Sequence, residues 1–144
     1  MKAKELQLVR KRLKVLLPDR YRALVSEPPQ ELVCLLKCEK YDRDRLLYLE
    51  SKSIIAANEE VRNEDFEFFA GNPKLRWPAK YFIIGGDIGG NFYCLNLAGK
   101  SNAVYCWEHD CAQFTKCAKS FPDFVQTIFQ LYADMAVLDL EDDE

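Results

Sequence analysis

A single histidine, His109, stands in the whole sequence. Any Cys–His nucleophile pair would have to be built on that one residue. Long apolar runs are missing as well: no window approaches the ~18 consecutive apolar residues that a membrane helix requires. The N-terminus, MKAKELQLVRKRLK, lacks the continuous apolar stretch of a secretory signal. The chain is therefore expected in the cytosol, without membrane contact. No internal repeat and no dividing linker interrupts it, and 144 residues suit one domain. A strongly basic domain, the usual footprint of direct nucleic-acid binding, is absent too. The net charge of -3 is polarised: residues 1–14 carry six Lys/Arg and one Glu, and residues 134–144 carry six Asp/Glu and no base. The basic start reads as a solvated helix face.

What is present is enough for a core. Hydrophobic residues make up 49% of the chain and charged residues 30%, which argues against disorder. Six cysteines would suit three disulfides in a secreted protein. Without a signal they read as reduced thiols, with Cys94 and Cys106 buried as small hydrophobes.

Glycine is scarce, and four of the six glycines crowd into residues 85–90. They separate two apolar runs within residues 80–97, KYFIIGGDIGGNFYCLNL. Two β-type runs around a glycine cluster predict a hairpin with a longer-than-minimal turn. The glycines imply positive φ or close backbone approach. A third run, residues 102–107, extends the hairpin to a three-stranded antiparallel meander, and residues 113–118 add a fourth strand.

Before the meander, Leu6, Val9, Leu13, Leu16 and Leu17 recur at near-helical spacing. They predict an amphipathic helix over 3–17 ended by Pro18. A short helix follows over 19–25. Residues 31–38 are short and apolar, and their period does not separate helix from strand. Residues 41–45 read as a polar turn and 46–49 as a short strand. Ser53 reads as the cap of a helix that ends near 63–65. Residues 66–79 form an aromatic connection with Pro73 and Pro78 as breakers, and Phe66, Phe68, Phe69 and Trp77 are expected over the edge of the sheet. Ser120 caps a last helix whose buried stripe is Phe121, Phe124, Val125, Ile128, Phe129 and Tyr132. The domain is expected to span 1–138, with 139–144 as a disordered acidic tail.

No constellation for catalysis emerges. GGDIGG is followed by a strand, whereas phosphate loops lead into a helix. Cys106, His109, Cys111 and Cys117 are metal-ligand types, but they lack the tight paired spacing of zinc sites. Cys34 and Cys38 would share a helical face, yet two ligands alone make a weak site. The carboxylate pairs, such as Glu59-Glu60, read as solvated surface. No metal, no cofactor and no enzyme activity are expected, which leaves a binding protein.

An ordered set of short segments carries more information than any one of them. These are Leu17-Pro18-Asp19-Arg20-Tyr21, then residues 54–60 (IIAANEE), residues 82–87 (FIIGGD) with 89–93 (GGNFY), residues 104–110 (VYCWEHD) and residues 118–124 (AKSFPDF). Over roughly residues 13–130 the chain resembles the SUKH superfamily, which includes yeast cell-wall synthesis regulators and many small bacterial proteins. The resemblance implies an α+β fold, a curved and mainly antiparallel sheet with a meander core around residues 80–118 and helices packed on it. It implies no enzyme activity. In bacteria it implies an immunity protein that neutralises a cognate toxin, often a nuclease. One departure stands out: where family members carry an Asn-Gly-Gly-like turn, this chain reads Ser26-Glu27-Pro28-Pro29-Gln30.

The mechanism this suggests is direct occlusion of the toxin by a preformed, mildly acidic surface. Candidate contacts are Asp87, Glu108, His109 and Asp110, with Trp107 or Trp77 as aromatic anchors. Two alternatives stand beside it: a regulatory or scaffold module acting on host signalling or cell-wall proteins, and a small enzyme or metal protein.

Overall fold

The computed structural model describes residues 1–38, 46–99 and 101–142. The polar turn expected at 41–45 lies outside the described residues. α1 (Ala3–Leu13) opens with the Glu5 carboxylate accepting the Lys2 amide at 3.0 Å. It stops four residues short of the expected end. Lys14 takes a left-handed conformation (φ 55), and its amide and that of Val15 both bond the Arg10 carbonyl. That turn buries Leu17 and leaves Leu16 75% exposed, so the apolar spacing at 16–17 came from a turn and not from more helix. α2 (Asp19–Ser26) follows Pro18 directly. The proline-rich turn leads into α3 (Gln30–Leu36), where the Pro29 carbonyl accepts the Val33 amide at 3.1 Å. The ambiguous residues 31–38 are thus mainly helical, with Leu32 and Leu36 on the buried side.

The strand expected at 46–49 does not form. Leu46 and Leu47 are buried, but the segment meets the sheet through one backbone bond, from the Tyr48 amide to the Ile84 carbonyl at 2.8 Å. A ladder cannot extend there because the chain crosses over Gly85. A Cβ on Gly85 would lie 1.9 Å from the Leu46 carbonyl oxygen. α4 (Ser51–Arg62) begins two residues before the expected Ser53 cap, with Glu50 at the cap position and its carbonyl accepting the Ile54 amide.

The strands are β1 (Tyr81–Gly86), β2 (Phe92–Asn96), β3 (Val104–Glu108) and β4 (Gln113–Ala118). They pair antiparallel in the order β1-β2-β3-β4, an open and curved sheet in an α+β fold. β1 carries a bulge between Ile83 and Gly85. Side chains alternate across the sheet, and each face has its own core. Phe82, Ile84, Tyr93, Leu95 and Val104 pack with the helices in the larger cluster, against Val9, Tyr21, Leu32 and Phe124 among others. Ile83, Cys94 and Trp107 face the smaller, aromatic cluster.

The aromatic connection covers that second face and not the edge. Phe68 stacks on Trp107 at 5.8 Å, and Trp77 meets Trp107 edge-on at 5.2 Å. Proline-limited chain between α4 and β1 has no helical or strand bonds to satisfy, so its rings are free to fill the plane of the sheet. The edge itself is held by α4. Its Ile54 enters the larger core while Ala57 and Val61 enter the aromatic one. α5 (Phe121–Asp142) starts with the Ser120 hydroxyl accepting the Asp123 amide at 3.3 Å. Its buried residues Phe121, Phe124, Val125, Ile128 and Tyr132 follow the expected stripe, with Phe129 partly buried. The helix runs to Asp142, through the first four residues of the segment expected as a disordered tail. Leu131, Ala133, Met135, Ala136 and Leu138, just ahead of that segment, are helix formers that carry the helix into it.

Candidate functional site

A meander turns at alternate ends, so the β1–β2 and β3–β4 turns fall at the same end of the sheet. Four of the six candidate contacts sit there. Asp87 opens the first turn and is structural as well as polar. Its carboxylate accepts the Asn91 amide at 3.0 Å and the Asn91 side-chain nitrogen at 3.2 Å. Its own amide bonds the Asn91 carbonyl at 3.0 Å. This is the local backbone mimicry for which aspartate and asparagine are suited. Gly90 takes φ 91, a conformation open to glycine, and a Cβ placed there would lie 3.6 Å from His109 Nδ1.

Asn91 then joins the two turns. Its side-chain oxygen accepts the His109 amide at 3.1 Å and lies 2.9 Å from His109 Nδ1. Because the Asn91 nitrogen is committed to Asp87, that oxygen acts as acceptor and Nδ1 carries the proton. His109 Nε2 lies 2.9 Å from the Asp110 carboxylate, an ion pair when the ring is protonated. Asp110 is 87% exposed and Glu108 is also exposed. Cys111 Sγ lies 3.7 Å from a Glu108 carboxylate oxygen. The result is a polar ridge, Asp87–Asn91–His109–Asp110, flanked by Glu108.

The tryptophans are elsewhere. Trp77 and Trp107 are 6% and 2% exposed, inside the aromatic core. Trp77 also donates to the Tyr81 carbonyl at 2.9 Å. Trp107 lies on the covered face of β3, so neither ring is presented to a partner. Asn91 was not among the candidates. Its signal was an asparagine placed directly after a glycine pair and before a strand.

The cysteines do not converge on His109. Burial raises the Cys94 thiol well above its ordinary value. Burial, with smaller contributions from Cys117, Asp87 and Glu108, pushes Cys106 up to about 11. Burial likewise takes Cys117 to about 11. Thiols raised in this way are neutral near pH 7, poor as nucleophiles and as metal ligands. Among the described residues no group of three or more His, Cys, Asp or Glu could hold a metal ion. Among them, too, no helix is long and apolar enough to cross a membrane.

The open antiparallel sheet, its two cores and its tethered acidic turns define an α+β domain with a polar, acidic end. The family model for the SMI1 / KNR4 family (SUKH-1) matches residues 1–127, and the chain belongs to that family. Its members are generally non-catalytic immunity or regulatory domains. No curated protein and no solved structure matches the chain.

Proposed function

We propose that this protein is an immunity protein that neutralises a cognate toxin by direct occlusion, with the acidic ridge at the paired hairpin turns as its contact surface. The observation that carries the proposal is the Asn91 tether. It joins two loops that would otherwise move separately and holds Asp87, His109 and Asp110 in one arrangement. A surface ordered before binding loses less entropy on association. Carboxylates at Glu108 and Asp110 complement a basic toxin such as a nuclease and raise the rate of encounter. Family membership supports a protein-binding role of this kind.

The test is co-expression with the toxin encoded beside the gene, together with binding kinetics on the purified pair. The wild-type protein is expected to rescue growth and to form a one-to-one complex. Glu108→Lys with Asp110→Lys should lower the association rate by about tenfold or more at low salt. Asn91→Ala, which removes no charge, should weaken binding by loosening the ridge. Unaltered binding in both variants would move the contact surface elsewhere. Failure to protect, with capture of a signalling or cell-wall protein in place of a toxin, would favour the regulatory reading of the same family.

A further inference from the structure

The last turns of α5 have a composition at odds with their exposure. Residues 131–140 read LYADMAVLDL, in which eight of ten side chains are apolar. A helix apolar on all sides is normally a buried helix. Here Tyr132 is buried, yet Val137, Leu138 and Leu140 are 53%, 59% and 67% exposed. In projection Val137 lies opposite the buried stripe, and Leu138 and Leu140 lie on its two flanks, so the three share the outward half of the helix. The chain's own core therefore cannot cover them by a small shift of the helix. This segment also lies beyond residue 127, where the family match ends.

A receptor of matching character exists on the same molecule. Between α1 and α2 is a cavity of about 500 Å³ lined by Leu6, Leu16 and Leu17. Arg10 and Arg22 stand on its lining, and Arg22 is already paired with the neighbouring Asp19 carboxylate, which leaves Arg10 as the lining cation without an ion pair among the described residues. The end of α5 carries Asp134, Asp139, Glu141 and Asp142 in its sequence, and the Asp134 carboxylate is engaged only by a neutral group, Gln130, in the bond the structure gives it. The apolar side chains suit the cavity, and the Asp134 carboxylate suits Arg10.

We propose that the C-terminal end of α5 docks into the α1–α2 cavity of a second copy of this chain. The complementarity is between two different patches of one surface. Each copy offers both patches, so an arrangement about a two-fold axis that seats both α5 ends at once closes a dimer. Pairing of two α5 ends with each other is disfavoured, because it would set acid against acid.

Sedimentation of the full chain over a concentration series tests this. The wild-type protein should associate to a dimer, more weakly as salt rises. Leu138→Asp with Leu140→Asp should weaken association on the order of a hundredfold, the effect of losing central apolar contacts. Two charge reversals make the assignment specific. Arg10→Glu with Arg22→Glu should be monomeric alone, as should Asp134→Lys with Asp139→Lys. Mixed, the two proteins should form a heterodimer, since each contact then regains opposite charges. These four sites are on the surface or the helix end, and circular dichroism confirms folding before mixing. Three results would overturn the proposal: a wild-type monomer at every concentration, an oligomer indifferent to the charge reversals, or one lost with the α5 variants alone.

Discussion

Asn58 holds Ile83 by both of its backbone groups. The Ile83 amide donates to Asn58 Oδ1 at 2.9 Å, and Asn58 Nδ2 donates to the Ile83 carbonyl at 3.0 Å. One side chain on α4 thus gives β1 the pair of bonds that another strand would give. Asn58 Nδ2 also reaches the Ile54 carbonyl at 2.9 Å, and the residue is wholly buried. An edge strand left open invites pairing with other chains, and here that edge is closed by an amide.

Asn58→Leu should consequently destabilise the fold by about 3 kcal/mol, since it strands a buried amide and a buried carbonyl together. Asn58→Asp should also destabilise, because it keeps the acceptor, loses the donor and buries a charge. Urea denaturation followed by circular dichroism measures both.

Gly85 is the position where α4's approach segment crosses the sheet. Gly85→Ala places a Cβ against backbone, not against a flexible side chain, and should lose about 3 kcal/mol or fail to fold. Gly99→Ala is the control: its Cβ would meet nothing nearer than 4.0 Å, and its effect should stay within about 0.5 kcal/mol. Thermal melts of the two variants should separate clearly.

Tyr21 is fully buried, and its hydroxyl has no hydrogen-bond partner among the described residues. Burial raises its pKa strongly. Tyr21→Phe should therefore be neutral or stabilising by up to about 1 kcal/mol, while Tyr21→Ala should lose about 4 kcal/mol of packing against Phe82 and Phe121. A Tyr21→Phe variant markedly less stable than the wild type would mean that the hydroxyl has a partner.

The thiols give the fold an alkaline limit. Cys106 and Cys117 rise from an ordinary value of 9.0 to about 11 in the folded state. The native state then holds protons that the unfolded chain releases between those values. Their contribution is fully present below about pH 9 and is lost as pH rises toward 11. Urea midpoints measured across that range should fall, and Cys106→Ala with Cys117→Ala should flatten the decline.

Periodicity made much of this fold readable. β4 at 113–118 and the stripe from Phe121 to Tyr132 follow directly from alternation and from helical spacing. The losses came where tertiary contact overrode a local pattern. Leu46 and Leu47 are apolar because they are buried, not because they pair. Leu16 sits at helical spacing but points to solvent beyond a left-handed residue. At the ridge, the charged turn residues were legible from composition, and Asn91 was not, because its role depends on two turns 18 residues apart meeting at one end of the sheet. The two tryptophans could be read from the sequence either as anchors or as packing, and the structure buries both, Trp77 as part of the aromatic connection and Trp107 beneath it.

The split between the two cores and the ridge has a consequence for how such proteins diversify. Glu108 and Asp110 are exposed and take no part in either core. Mutations there draw almost nothing from folding stability. If the ridge is the contact surface proposed above, a lineage can exchange those residues to follow a changing partner while Asn58, Gly85 and the aromatic face stay as they are. Novelty would be confined to a few positions, and the tether at Asn91 would let each new combination be tried on the same rigid mount.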